Sequence, residues 1–182
     1  MNIIRFADLT EVPWKNGGGI TRNIAEDRRG DDLHWRLSMA DVDSDGPFSD
    51  FAGLTRVLTV IKGDGVILTG PEGDIVADYA LPVVFDGATP ITSTLKNDPL
   101  RDLNLMFDPA RCDGAVTTLN GSFRKDVPAD GTIGIHCLSG AVSVNGEALL
   151  VGDTALSRED VGVEVGADGI ALLISLRDIS RP

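Results

Sequence analysis

A chain of 182 residues, 42% of them hydrophobic, is long enough for one sizeable domain or two small lobes, and too apolar to be disordered. Sixteen Lys and Arg against 28 Asp and Glu leave a formal net charge of −12, which argues against nucleic acid or an anionic membrane as partner, since both need a cationic surface. No window approaches the ~18 apolar residues of a membrane span, and Met1–Asp8 lacks a basic region leading into an apolar run, so the sequence predicts a cytoplasmic protein.

Twenty-one glycines and nine prolines punctuate short β-branched and aliphatic runs. Apart from one helical turn over Asp8–Val12, the pattern predicts strands at Ile20–Glu26, His34–Val42, Thr55–Lys62, Gly65–Thr69, Asp74–Tyr79, Pro82–Phe85 and Asp102–Phe107. Further strands fall at Ala115–Leu119, Gly134–Leu138, Ala141–Val144, Glu147–Val151, Gly162–Val165 and Gly169–Leu176. No segment sustains a helical apolar stripe over three turns, so the class is all-β, a sandwich or barrel. Gly65–Gly70 and Ala141–Gly146 share the pattern Val-x-aliphatic-x-Gly after a glycine-containing turn. That faint repeat suggests two similar lobes, about 1–108 and 109–182, packed as one compact unit over residues 1–182 with a boundary around Pro109–Pro128.

The first segment with chemical potential is Pro13-Trp14-Lys15-Asn16-Gly17-Gly18-Gly19-Ile20-Thr21-Arg22. Three glycines in a row suit a backbone of positive φ or close approach, and their N–H groups could form an anion-binding nest. Lys15 adds a charge, Asn16 an amide, and Trp14 an apolar platform with one donor. The plainer alternative is a tight loop with Trp14 plugging a barrel end and Lys15 in water. In His34-Trp35-Arg36-Leu37-Ser38-Met39-Ala40, alternation puts His34, Arg36, Ser38 and Ala40 on one face and Trp35, Leu37 and Met39 on the other. The polar face meets solvent in an ordinary sheet but lines the lumen in a ligand-binding barrel. Asn104, in the apolar run Asp102–Phe107, is either a structural hydrogen-bond hub or a ligand contact.

The two histidines, His34 and His136, are roughly a hundred residues apart, and no His-x-His or Cys-x-x-Cys occurs, so no local metal-ligand cluster is predicted. Cys112 and Cys137 could pair only in an oxidising compartment, and Cys137 reads as a small core residue. Asp27–Asp32 reads as a solvated acidic loop. Asp41-Val42-Asp43-Ser44-Asp45-Gly46 opens like a calcium loop, but Ala52 stands where the bidentate Glu is needed.

These segments, with Gly46-Pro47-Phe48-Ser49-x-Phe51-x-Gly53-x-x-Arg56 and Asp102-Leu103-Asn104-Leu105-Met106, resemble in order the HutD/Ves family of bacterial proteins. The resemblance covers residues 13–106, and its most specific part is the Pro-Trp-Lys-Asn-Gly-Gly-Gly run. It departs at Asn23, where an acidic residue often follows Thr-Arg, and at Phe85-Asp86-Gly87-Ala88, in place of Phe-x-Gly-Asp.

The resemblance implies a cupin-type β-barrel duplicated as a bicupin. The family is named for its association with histidine utilisation, where it is thought to moderate pathway expression or flux. Urocanate or N-formylglutamate has been suggested as ligand, and Ves relatives are linked instead to cold or stress responses. On this reading the protein is a metal-free, cofactor-free binding or regulatory bicupin for a small anionic metabolite, monomeric or homodimeric. Its ligand-binding residues are Trp14, Lys15, Asn16, Gly17, Gly18, Arg36, Ser38, Arg56, Asn104 and Met106, with Lys15, Arg36 and Arg56 neutralising the anion. The alternatives are a small-molecule isomerase or hydrolase using His34 or His136, and a stress-response protein with no ligand.

Overall fold

The computed structural model of the chain describes residues 1–127 and 130–179. Those residues form antiparallel sheets, with a single 3-10 turn at Phe6–Asp8. The expected helical turn over Asp8–Val12 is corrected accordingly: it lies earlier, and Glu11–Pro13 is a strand paired to the Gly19–Arg29 strand. Every other predicted strand is present, Thr55–Lys62 with its exact bounds. The pattern missed short strands at Asn2–Ile4, Gly46–Pro47, Thr92–Leu95 and Phe123–Lys125, which hold too few residues to show alternation.

The chain divides into two compact units. One is Thr10–Arg111; the other joins Met1–Leu9 to the described residues from Cys112 onward. Within the expected boundary region Pro109–Pro128, Pro128 lies outside the described residues.

In the Thr10–Arg111 unit a six-stranded sheet runs in the order Glu11–Pro13, Gly19–Arg29, Asp32–Val42, Leu100–Phe107, Thr55–Lys62, Val83–Asp86. A second sheet runs Gly46–Pro47, Thr92–Leu95, Val66–Gly70, Gly73–Ala77. Leu58, Val60, Val66, Leu68, Ala77 and Ile91 form an apolar core shared by the two sheets. The acidic stretch Asp27–Asp32, expected as a solvated loop, is the largely exposed tip of a hairpin. It turns at Gly30 (φ +62°) and carries ion pairs from Arg28 to Glu26 and from Arg111 to Asp32.

The other unit pairs a five-stranded sheet (Asn2–Ile4, Thr154–Ser157, Gly131–Ser139, Ile170–Asp178, Cys112–Leu119) with a four-stranded one. An apolar cluster built from Ile133, Ile135, Cys137, Val142, Val144, Leu149, Val161 and Val163 among others fills it, with His136, Asp153 and Thr154 also buried in this unit. Both copies of the sequence repeat form hairpins: Val66–Gly70 pairs with Gly73–Ala77, and Val142–Val144 with Glu147–Leu149. The N-terminal strand is fastened to this unit by Asp153, which accepts hydrogen bonds from Arg5 Nη1 (2.7 Å), Phe6 N (2.9 Å) and Leu150 N (3.0 Å).

Candidate functional site

Three neighbouring strands of the six-stranded sheet set the site. Asp32–Val42, Leu100–Phe107 and Thr55–Lys62 pair in a register that lays Arg36, Met106 and Arg56 side by side in one row. The next row on the same face is Ser38, Asn104 and Leu58, and the next is Ala40, Asp102 and Val60. Leu37, Met39, Leu103 and Leu105, on the opposite face, are buried as well. The polar face therefore looks into a barrel and not into water, which decides the question that alternation alone left open.

These rows line a cavity of about 500 Å³, within the range of small-molecule sites. Trp14, Lys15, Asn16, Arg36, Ser38, Arg56, Asn104 and Met106, all expected from the sequence, contribute to its wall. Gly17 and Gly18 do not. Their N–H groups are taken up within the turn, Gly17 N donating to Trp14 O (3.0 Å) and Gly18 N to Asn16 Oδ1 (3.1 Å). The expected anion-binding nest is thus corrected to a self-satisfied turn. Its glycines act through backbone shape: Gly17 sits at φ +72°, and a Cβ on Gly19 would lie 2.2 Å from Asp41 O and 3.0 Å from the Trp14 ring. The Trp14 indole is fixed by donating to Thr21 Oγ1 at 2.7 Å, so it forms a placed rim with Lys15 and Asn16 exposed beside it.

Sequence reasoning did not single out Asp102, Thr21, Phe48, Ser49 or Phe51 as site residues, though all line the cavity. The Phe48–Phe51 loop forms part of the wall, tied by Phe48 N to Ile91 O (2.8 Å) and Phe51 N to Gly87 O (2.9 Å). A Cβ at Gly87 would lie 2.4 Å from Phe51 O, so that tie depends on glycine. The signal was there in Pro47-Phe48-Ser49-x-Phe51, but an aromatic loop reads equally well as core.

The electrostatics of the cavity are unusual. Arg56 is 5% exposed, and its guanidinium carbon sits 4.9 Å from the Phe48 ring centroid, 5.3 Å from Phe51 and 5.1 Å from Phe85. Its Nη2 donates to Asn104 Oδ1 (2.9 Å), while its buried Nε has no partner among the described residues. Arg36, 5.9 Å from the Phe51 centroid, makes no hydrogen bond or ion pair among the described residues, and its Nε is buried too. Burial lowers both guanidinium pKa values, that of Arg56 to about 10, with nearby Asp102 raising it and Arg36 lowering it further. Aromatic faces attract a cation but do not take its N–H bonds.

Asn104 passes the polarity on by donating its Nδ2 to Asp102 Oδ1. Burial raises the Asp102 pKa to about 7, against the opposing pull of Arg56 and the Asn104 hydrogen bond. His34 and His136, the acid/base candidates, are both buried and neither lines the cavity; His136 Nδ1 instead lies 2.9 Å from Thr154 Oγ1. Among the described residues no three or more His, Cys, Asp or Glu side chains are grouped to hold a metal ion. No helix among them is long and apolar enough to cross a membrane.

A polar cavity inside an antiparallel barrel defines a class before it defines a family. The chain shares its fold with a bacterial pirin from Escherichia coli solved in complex with nickel(II), at a TM-score of 0.69 over 96% of this chain and 97% of that one. At 10% identity that likeness shows the fold alone, a cupin-type β-barrel architecture. The HutD family profile matches residues 6–176, and the chain belongs to the HutD family. It is 35% identical over 129 residues (68% of this chain, 67% of the relative) to an uncharacterised 21.2 kDa protein in the hutC 3′ region of Pseudomonas putida. It is 31% identical over 166 residues (86% and 84%) to protein Ves of Citrobacter koseri. The solved HutD from Pseudomonas fluorescens SBW25 superimposes with a TM-score of 0.88 at 33% identity, over 97% of this chain and 98% of that one.

Proposed function

We propose that the cavity of the Thr10–Arg111 unit binds a small organic carboxylate, and that the protein is a binding or regulatory member of its family, acting in the cytoplasm on an intermediate of histidine utilisation such as urocanate or N-formylglutamate. The observation that carries this reading is the pair Arg36 and Arg56. Two guanidiniums with buried, unpartnered Nε donors share one row of a cavity wall in a chain of net charge −12. Buried charge is costly unless paired, and among the described residues Asp102, the carboxylate of the cavity wall, makes no ion pair with either. A carboxylate from outside supplies the missing acceptors, and guanidinium is built to take it in a forked geometry. The aromatic faces of Phe48, Phe51 and Trp14 suit the flat or apolar body of such a ligand.

Calorimetric titration with urocanate, N-formylglutamate and related acids tests the reading. Binding below about 1 mM is expected, and Arg36→Ala should weaken it by about 2–5 kcal/mol, the cost of truncating a desolvated charged contact. Lys15→Ala, at the exposed rim, should cost under about 1 kcal/mol. No binding by any acid, or an unchanged affinity in Arg36→Ala, would overturn the assignment.

A further inference from the structure

Resting on the carboxylate reading above, we infer that Asp102 is a specificity-determining residue of the cavity: it selects ligands that carry an N–H donor in addition to the carboxylate held by Arg36 and Arg56. Asp102 is 2% exposed yet belongs to the cavity wall. Its Oδ1 accepts from Asn104 Nδ2, and its Oδ2 accepts no hydrogen bond among the described residues. Oδ2 is not among the fully buried atoms that lack a partner, so it keeps some exposure on the cavity side, where a ligand donor can reach it.

Among the described residues no side chain of the wall donates to that oxygen. Across the sheet from Asp102 stand Ala40 on one side and Val60 on the other, both apolar. Asn104 has committed its amide to Arg56 and to Asp102 Oδ1, so it cannot turn to the second oxygen without breaking one of those bonds. Arg36 and Arg56 stand in the Met106 row, and Asp102 lies four residues along the same strand, so the two ends of the site are separate points on one wall. A ligand that satisfies both ends is an acid that carries an N–H donor apart from its carboxylate. A simple carboxylate would fill one end and leave Asp102 Oδ2 without a ligand donor, and a site built to hydrogen-bond a group rejects analogues lacking it.

The test compares two ligands of one shape, urocanate and 3-(2-furyl)acrylate, which replaces the imidazole by a ring with no N–H. At pH 8, where Asp102 is ionised, the intact protein should bind urocanate at least tenfold more tightly. In Asp102→Leu, of similar volume and no acceptor, that preference should fall to within about twofold while furylacrylate binds as well as before or better. Asp102→Asn serves if the leucine variant does not fold, and should shift the ratio in the same direction. If furylacrylate matches urocanate on the intact protein, or the preference survives in the folded Asp102 variants, the inference is wrong while the carboxylate reading stands. If neither acid binds, the carboxylate reading itself fails and takes the inference with it.

Discussion

Asp102 and Asp153 are equally buried, each 2% exposed, one in each unit of the chain. What differs is their company. Asp153 accepts from Arg5, from Phe6 N and from Leu150 N, so both oxygens are met, and the bonds outweigh burial to hold its pKa below the ordinary carboxylate value. Asp102 has one amide donor, and burial wins, lifting it to about 7. The first aspartate is a structural fastener for the N-terminal strand; the second is a group waiting for a partner. The interiors around them follow suit. Around Ile133, Ile135 and Val144 the buried polar groups of His136, Thr154 and Asp153 have partners, while the barrel of the Thr10–Arg111 unit is apolar around Leu58 and Leu68 and polar around Arg36, Arg56 and Asn104. Satisfaction of hydrogen bonds, and not burial, separates the two aspartates.

The largest effect should come from Asp153→Ala. Removing three hydrogen bonds to a charged acceptor, two of them from backbone N–H groups, should lower stability by about 3–5 kcal/mol in urea titrations at pH 7. A loss under about 1 kcal/mol would erase the distinction drawn above.

Asp102→Asn should act in the opposite direction. A carboxyl whose folded pKa is raised from 3.8 to about 7 costs nothing at pH 4 and progressively destabilises the fold as pH rises between those values. The asparagine variant should therefore be more stable than the parent by about 1–2 kcal/mol at pH 8 and indistinguishable from it near pH 4. Asp153, with its depressed value, contributes stability that is present above the ordinary carboxylate pKa and lost only as pH falls through its folded value. Parallel pH–stability curves for the two variants would contradict the contrast.

The smallest effect is expected at Cys137, which lies in the apolar core of the second unit with its thiol pushed up to about 11, first by burial and then by Asp153. Native protein at pH 8 should leave this thiol unmodified by iodoacetamide over hours, and rapid labelling, read by mass spectrometry, would show that core to be open.

Strand positions were legible because alternation and glycine punctuation are local, and Trp14, Arg36 and Asn104 stood out by residue type. Two things were not legible, for physical reasons. A polar face turned to a lumen has the same period as one turned to water, so Arg36 and Ser38 could be placed only once both faces of their strand were seen to be buried. The fate of an N–H group depends on a turn's own geometry, so Gly17 and Gly18 looked free to bind an anion but close on Trp14 and Asn16 instead. Asp102 went unnoticed since an aspartate at a predicted strand end is usually solvated; only the extension of that strand back to Leu100 puts it inside.

The central claim is that Arg36 and Arg56 together hold a carboxylate, and a crystal structure of the protein grown with urocanate tests it most directly. The account predicts density for the acid in the Thr10–Arg111 cavity, its carboxylate within hydrogen-bond distance of both guanidiniums and its ring directed toward Asp102. Density elsewhere, or a carboxylate there that touches neither arginine, would contradict it.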